Sequence, residues 1–416
     1  MISNFLEHID ACPTAHHVVD RAASILRNSG IDQVTLDKGF TTQHLQSGFV
    51  SSGGTIIAWK NAHSIAENGI HIVGAHTDSP GLHIKPNPDT QTLNWQQLQV
   101  EVYGGPLLNS WLDRDLGIAG HVVLRDGSTS LFTSQQPVAR IPQLAIHLDR
   151  EVNDKGLVLN RHQHLSPIWA TTGSSAPFES WLAQQVSVSV SQIASWSAQL
   201  IDTQRAQIIG RDSEFIASSR IDNQISCWAA LSALLAVDSD QPMMIALFDH
   251  EEVGSQSSQG AGGPMLEHVL ERLSVAAGSS RSDYLVSLQK SHCVSADNAH
   301  AVHPNYVDRH ELNNAPLINE GVVVKTNVSQ RYATSPQSLV PIVHAAATAG
   351  VNLQTFSSRN NIACGSTIGP ITATRLGIET VDIGVPQLSM HSIREMCGTQ
   401  DPVDLVALLR AYFSRS

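Results

Sequence analysis

Three short apolar runs end abruptly in acids and histidines, and this limits the chain's architecture more than any other feature. Residues 72–75 lead into His76-Thr77-Asp78, residues 243–248 into Asp249-His250-Glu251-Glu252, and residues 380–384 toward Met390-His391. The stretch after Tyr284 leads in the same way to Ser295-Ala296-Asp297. Runs this apolar read as buried strands, the kind found in sheets covered by helices. In open α/β sheets, ligands bind beyond the carboxyl ends of the strands, where loops gather residues distant in sequence. An α/β fold with a polar crevice is the expectation.

The rest of the chain alternates between two textures. Residues 14–29 read as an amphipathic helix with Val18, Val19, Ala22, Ile25 and Leu26 on one face and Gly30 as its stop. Residues 55–59 and 70–75 read as strands. From about Asn87 to Gly210, alternating stretches (98–103, 121–124 and the Val-Ser repeat 186–190) are punctuated by Gly, Pro, Asn and Ser, which predicts a mainly β insertion. After Gly210 helices and strands alternate again. Helices are expected at 227–237, after Gly263, at 339–347 and at 403–413, and strands at 243–248, 284–288, 322–325 and 380–384. The expected organisation is one domain from 1–86 plus 211–416, with 87–210 inserted as a second.

Composition removes several function classes. Hydrophobic residues make up 42% of 416 and charged ones 15%, enough apolar material for large cores and unlike a disordered chain. The net charge of −12, without a Lys/Arg cluster, argues against nucleic acid as a partner. No run approaches the roughly 18 apolar residues of a membrane helix, so no membrane partner is expected. Glu7 and Asp10 stand where a basic signal-peptide segment would begin, and a cytoplasmic location is the expectation. The five cysteines are far apart and form no CxxC pair, which supports neither a disulfide framework nor a thiolate zinc site. Histidine is abundant, 20 against 25 Lys plus Arg, and imidazole is the commonest metal ligand.

Each cluster has a bland reading beside the functional one. His76 and Asp78 form an HxD step, in which a carboxylate two residues on can orient a metal-bound imidazole; the alternative is a surface turn before Pro80-Gly81. His250-Glu251 suggests the HExxH zinc helix, but the second histidine would fall at Gly254, so that motif fails. What remains is a pair of adjacent carboxylates, costly unless a cation sits beside them, or an acidic helix start. Asp222 reads as a helix N-cap, Asp297 as a turn former and His391 as a loop histidine when each is taken alone. There is no GxSxG elbow, no GxxxxGK[ST] loop and no GxGxxG after a strand. A metal hydrolase is the better reading.

Six segments together carry a resemblance: His76-Thr77-Asp78-Ser79-Pro80, Trp111-Leu112-Asp113-Arg114-Asp115-Leu116, Arg220-Ile221-Asp222-Asn223, Glu251-Glu252-Val253-Gly254-Ser255, Asp297 through Tyr306, and Met390-His391-Ser392-Ile393-Arg394-Glu395-Met396. In this order, spanning nearly the whole chain, they resemble the aspartyl aminopeptidases, dinuclear zinc exopeptidases that remove acidic N-terminal residues from peptides. The resemblance implies a zinc-exopeptidase-like mixed sheet with helices on both faces and an inserted β-rich dimerisation domain. It implies two divalent ions, zinc with manganese or cobalt as substitutes. His76, Asp222, Glu252, Asp297 and His391 would be the ligands, with Asp222 shared between the ions. Glu251 would be the general base toward a water shared by the ions, and Asp78 the orienter of His76. Lys325 and Tyr332 would face the acidic side chain of the substrate, where their bland reading is a solvated strand-end lysine and a half-buried tyrosine. His147 would reach a neighbouring subunit's site, and dimers would assemble into a tetrahedral dodecamer. The rivals are a dinuclear aminopeptidase of broad or neutral specificity and a non-catalytic peptide-binding assembly protein. His83, followed by Lys85, departs from the basic residue that relatives often carry.

Overall fold

The computed structural model describes residues 1–173 and 176–415. It divides into two compact units, one comprising Met1–Asp78, Ala206–Met390 and Glu395–Ser416, the other Ser79–Arg205 with His391–Arg394. The first junction lies earlier than residue 87 because Gly81–Thr92 is one strand, paired with Trp95–Tyr103 from Gly81 opposite Tyr103 onward. The return lies before residue 211 because Gln207–Ile209 already pairs with Phe215–Ser218 of the first unit. His391–Arg394 was not expected in the second unit.

The first unit is built on an eight-stranded mixed sheet. Its order is Ser47–Ser52, Thr55–Lys60, Met243–Phe248, His71–His76, His292–Ala296, Glu379–Gly384, Val322–Lys325 and Leu353–Phe356. The four central strands run parallel, so their carboxyl ends share one edge. The all-apolar strand Met243–Phe248 shows why such runs need helices on both sides. Met243, Ile245 and Leu247 enter one core; Met244, Ala246 and Phe248 enter the other. Phe5, Leu26, Leu234, Ile342 and Leu409 bring helices to the first core, and Val269, Leu288 and Ile368 to the second. A smaller five-stranded sheet, Gln207–Ile209 to Ala299–His300, completes this unit.

The second unit is a six-stranded antiparallel sheet, ordered Thr129–Thr133, Leu116–Leu124, Ile193–Asp202, Gly81–Thr92, Trp95–Tyr103 and Ile168–Thr171. One core fills it, with Leu82, Ile118, Val122 and Leu200 from strands and Phe178 and Leu182 from the helix Phe178–Gln185.

Two expected strands are wrong. Residues 284–288 lie inside the helix Arg281–Lys290, which buries Tyr284, Ser287 and Leu288 at helical spacing. Ser280 caps it, accepting the Asp283 amide at 3.2 Å while Asp283 accepts the Ser280 amide at 2.8 Å. The Val-Ser repeat 186–190 is a turn: Val186 ends one helix, Ser187 takes φ 56°, and Val190 begins a 3₁₀ turn. The strand it suggested starts at Ile193.

Candidate metal centre

His76 ends its strand and is 1% exposed. Its Nδ1 lies 3.0 Å from the Asp78 backbone oxygen and 3.4 Å from the Asp78 carboxylate. A proton on Nδ1, donated to that carbonyl, leaves the Nε2 lone pair facing outward. Nε2 faces Asp222 Oδ1 at 3.3 Å and Asp297 Oδ1 at 3.6 Å. A lone pair and two anionic oxygens at this range repel one another unless a proton or a cation lies among them. Burial opposes charge on the imidazole, yet the three aspartates outweigh it and raise the pKa of His76 well above its ordinary value.

Asp222 stands at the entrance of the helix Ile221–Ala236. The N-cap position falls on Arg220, which has φ 59° and no side-chain cap hydrogen bond, and Asp222 and Asn223 after it leave helical geometry. The turn is braced on several sides. The Asp222 amide donates to Glu395 Oε2 at 2.9 Å, Asn223 Nδ2 to the Ala296 carbonyl at 2.8 Å, and Gln224 Nε2 to the Thr77 carbonyl at 2.9 Å. Arg220 donates to the Ile9 and Cys12 carbonyls at 3.1 and 3.2 Å.

The glutamate pair lies on the 3₁₀ turn Glu251–Val253, entered through His250 at φ 62°. Asp78 holds this turn, its two carboxylate oxygens each accepting one amide, of Glu251 and of Glu252, at 3.1 Å. Burial pushes the Glu251 carboxyl up to about 8; His76 opposes this, while Asp297, Asp78 and Asp222 add to it. Ligand atoms of His76, Asp222 and Glu252 lie within 4.8 Å of one another.

Asp297 follows its strand, and its Oδ2 lies 3.5 Å from Lys325 Nζ. The solvated strand-end lysine is overturned. Lys325 is 1% exposed, donates to the Asn298 carbonyl at 3.1 Å and sits 5.1 Å from the centre of the Tyr332 ring. Tyr332 is buried rather than half-buried. His391 belongs to the second unit, where its Nδ1 lies 3.1 Å from the Gly105 carbonyl and its φ is 66°. His147, also in the second unit, is exposed beside exposed Leu144, Ile146 and Leu148.

Two residues of this neighbourhood carried no assignment from sequence. Glu395 braces Asp222, and its only signal was its place in the last motif. Asp382, fully buried, accepts from Thr367 Oγ1 at 2.5 Å and from the Ala333 amide at 2.6 Å. Nothing in its apolar strand announced it.

One buried imidazole and three carboxylates, those of Asp222, Glu252 and Asp297, form a donor set that suits a borderline divalent ion such as zinc. With a further glutamate on the adjoining turn, at the carboxyl edge of an α/β sheet, they define a metal-dependent hydrolase. Comparison with known proteins gives the family. Residues 8–413 match the model of the M18 peptidases, described as aminopeptidase I zinc metalloproteases. A probable M18 family aminopeptidase 2 of Streptomyces coelicolor is 44% identical over 98% of this chain and 96% of its own length. One from Pseudomonas fluorescens is 42% identical over 98% and 97%. Among solved structures, an Ape4 and Nbr1 complex superimposes with a TM-score of 0.94 at 34% identity, covering 99% of this chain and 85% of that one. A Saccharomyces mApe1 dodecamer gives 0.85 at 26%, covering 100% and 96%. The chain belongs to the M18 family of zinc metalloaminopeptidases.

Proposed function

We propose that this chain removes Asp or Glu from the N-terminus of peptides, with two divalent ions held by His76, Asp222, Glu252 and Asp297, and by His391 on the strength of its motif. The observation that carries the acidic preference is Lys325, a buried cation 3.5 Å from Asp297. A positive charge held at the edge of the cluster favours a substrate carboxylate, and desolvation strengthens that attraction. A neighbouring cavity of about 370 Å³ fits the same preference, since Tyr332 forms one wall and Arg309 and Arg359 outnumber Glu311 in its lining.

Bound ions would supply Lewis acidity and an acidified water. Asp78 fixes the tautomer of His76 and, through the Glu251 amide, the position of the base. Glu251 takes a proton from the attacking water and returns it to the leaving amine. Asp222, Glu252 and Asp297 would hold the ions with three negative charges against four, and the remaining positive charge would favour an anionic group at the site.

Assembly into dimers and then a dodecamer is part of the proposal. The exposed apolar segment around His147 supports burial against another copy, and the mApe1 structure is a dodecamer. Five free thiols suit a reducing cytoplasm. No helix among the described residues is long and apolar enough to cross a membrane.

The test is a panel of aminoacyl substrates assayed after chelation and addition of zinc, manganese or cobalt. Turnover concentrated on Asp and Glu supports the reading. Equal turnover on Ala and Leu would favour the broad-specificity rival, and no turnover with any metal a binding protein.

A further inference from the structure

Three neighbouring strands bring three buried charges into one line. His292–Ala296 leads to Asp297, Glu379–Gly384 carries Asp382, and Val322–Lys325 ends on Lys325, with the Asp382 strand in the middle. The framework is tightly registered: the Asp297 amide donates to the Ile383 carbonyl at 2.9 Å, and Val324 pairs with Ile383. Gly384 lets Asp297 approach, since a Cβ there would meet its carbonyl at 1.8 Å.

Lys325 Nζ is 3.5 Å from the carboxylate of Asp297, and the antiparallel pairing of Val324 with Ile383 sets Lys325 across from Asp382; burial raises the Asp382 carboxyl, and Lys325 opposes that rise. Asp382 itself cannot drift. Thr367, which caps the helix Ile368–Leu376, and the Ala333 amide fix its two oxygens, and Gly369 packs so closely that a Cβ would lie 2.4 Å from Oδ2. Burying a carboxylate costs several kcal/mol unless it is paired and hydrogen-bonded, so a pinned aspartate beside a buried lysine balances a charge.

We propose that Asp382 is a positioning residue for the metal centre, drawing the charge of Lys325 away from Asp297 so that Asp297 can ligate. This rests on the reading of Asp297 as a ligand. A carboxylate neutralised by an ammonium binds a cation less well, because the two cations share one negative charge even from different oxygens, Oδ2 for Lys325 and Oδ1 on the His76 side. With Asp382 ionised, Lys325 has a second carboxylate to satisfy. Without that charge, Lys325 pairs with Asp297 alone and opposes the metal.

The sign of this competition makes it testable by zinc affinity, measured against a chromophoric chelator. Asp382→Asn should weaken the weaker zinc site about tenfold, near 1.4 kcal/mol. Adding Lys325→Met to that variant should restore affinity to within about threefold, since the competitor is gone. A folded Asp382→Asn with native zinc affinity, or a double variant as weak as the single, overturns the proposal. Should Asp382→Asn fail to fold, Lys325→Met alone decides: binding as tight as native or tighter supports it, and weaker binding overturns it. Asp297→Ala separates the two levels. If it keeps two ions at native affinity, the ligand assignment fails, whatever Asp382 does.

Discussion

Asp78 holds the amide of Glu251 at 3.1 Å with one carboxylate oxygen and leaves the other for the amide next in sequence. An orienter of His76 was the expectation; the geometry adds a grip on the turn that carries the proposed base and a ligand. Asp78→Ala should therefore affect catalysis beyond the histidine. Two charge-assisted hydrogen bonds to backbone are lost, each worth about 1.5–3 kcal/mol. The expected result is lower kcat and weaker zinc binding together, read by steady-state kinetics and metal analysis. A normal kcat with fully loaded metal would remove Asp78 from this role.

Glu251→Gln keeps the shape of the turn and removes the base. It should retain its metal and lose kcat by about 10²–10⁴-fold, the usual contribution of a positioned acid–base group. Near-native turnover in a metal-loaded variant would exclude Glu251 as the base.

Asp222→Ala should behave in the opposite way, because one carboxylate is proposed to serve both ions. Its signature is lost metal rather than slow chemistry. Two ions per chain by elemental analysis would contradict the bridging role.

Lys325→Ala should lower kcat/KM for Asp or Glu substrates about 10- to 150-fold more than for Ala or Leu ones. The ratio between substrates cancels any uniform loss of metal, so it isolates recognition. Equal losses would move the recognition of the acidic group to the ions or to His147 of another copy.

Burial also makes the fold acid-sensitive away from the metal. Burial lowers His8 to about 3, His71 to about 4 and His292 to about 4. Such groups fold neutral, and the unfolded chain binds their protons first. Their contribution to stability should be level above the ordinary histidine value of 6.5 and fall as pH drops below it. Each such histidine contributes a slope near 1.4 kcal/mol per pH unit until its folded pKa is reached. His8→Leu should flatten the urea-midpoint profile between pH 6 and 4 relative to the parent. Parallel profiles would show that His8 does not titrate on unfolding.

Sequence carried much of this because the central strands are extreme. Met243–Phe248 is apolar throughout and reads as a strand in one way only. Tyr284 to Leu288 is mixed, and its helix was signalled by Ser280 and Asp283, a capping pair easily passed over beside a hydrophobic run. The Val-Ser repeat has the right period, but Ser187 takes φ 56° and turns the chain instead. At the site, types and spacing revealed His76 and the glutamates. They could not reveal that Lys325 is buried, because a strand-end lysine looks alike in sequence whether its end meets solvent or a carboxylate.

The placement of the inserted unit has a consequence for biosynthesis. The strand His71–His76 leaves the ribosome before the insertion, but its two sheet neighbours, Met243–Phe248 and His292–Ala296, lie beyond it. Until they are made, an apolar strand with both edges open must wait through the synthesis of a whole intervening unit. Pairings this distant in sequence form slowly and leave the nascent chain exposed to aggregation. The histidine at the heart of the centre is thus translated a whole unit ahead of the strands that enclose it.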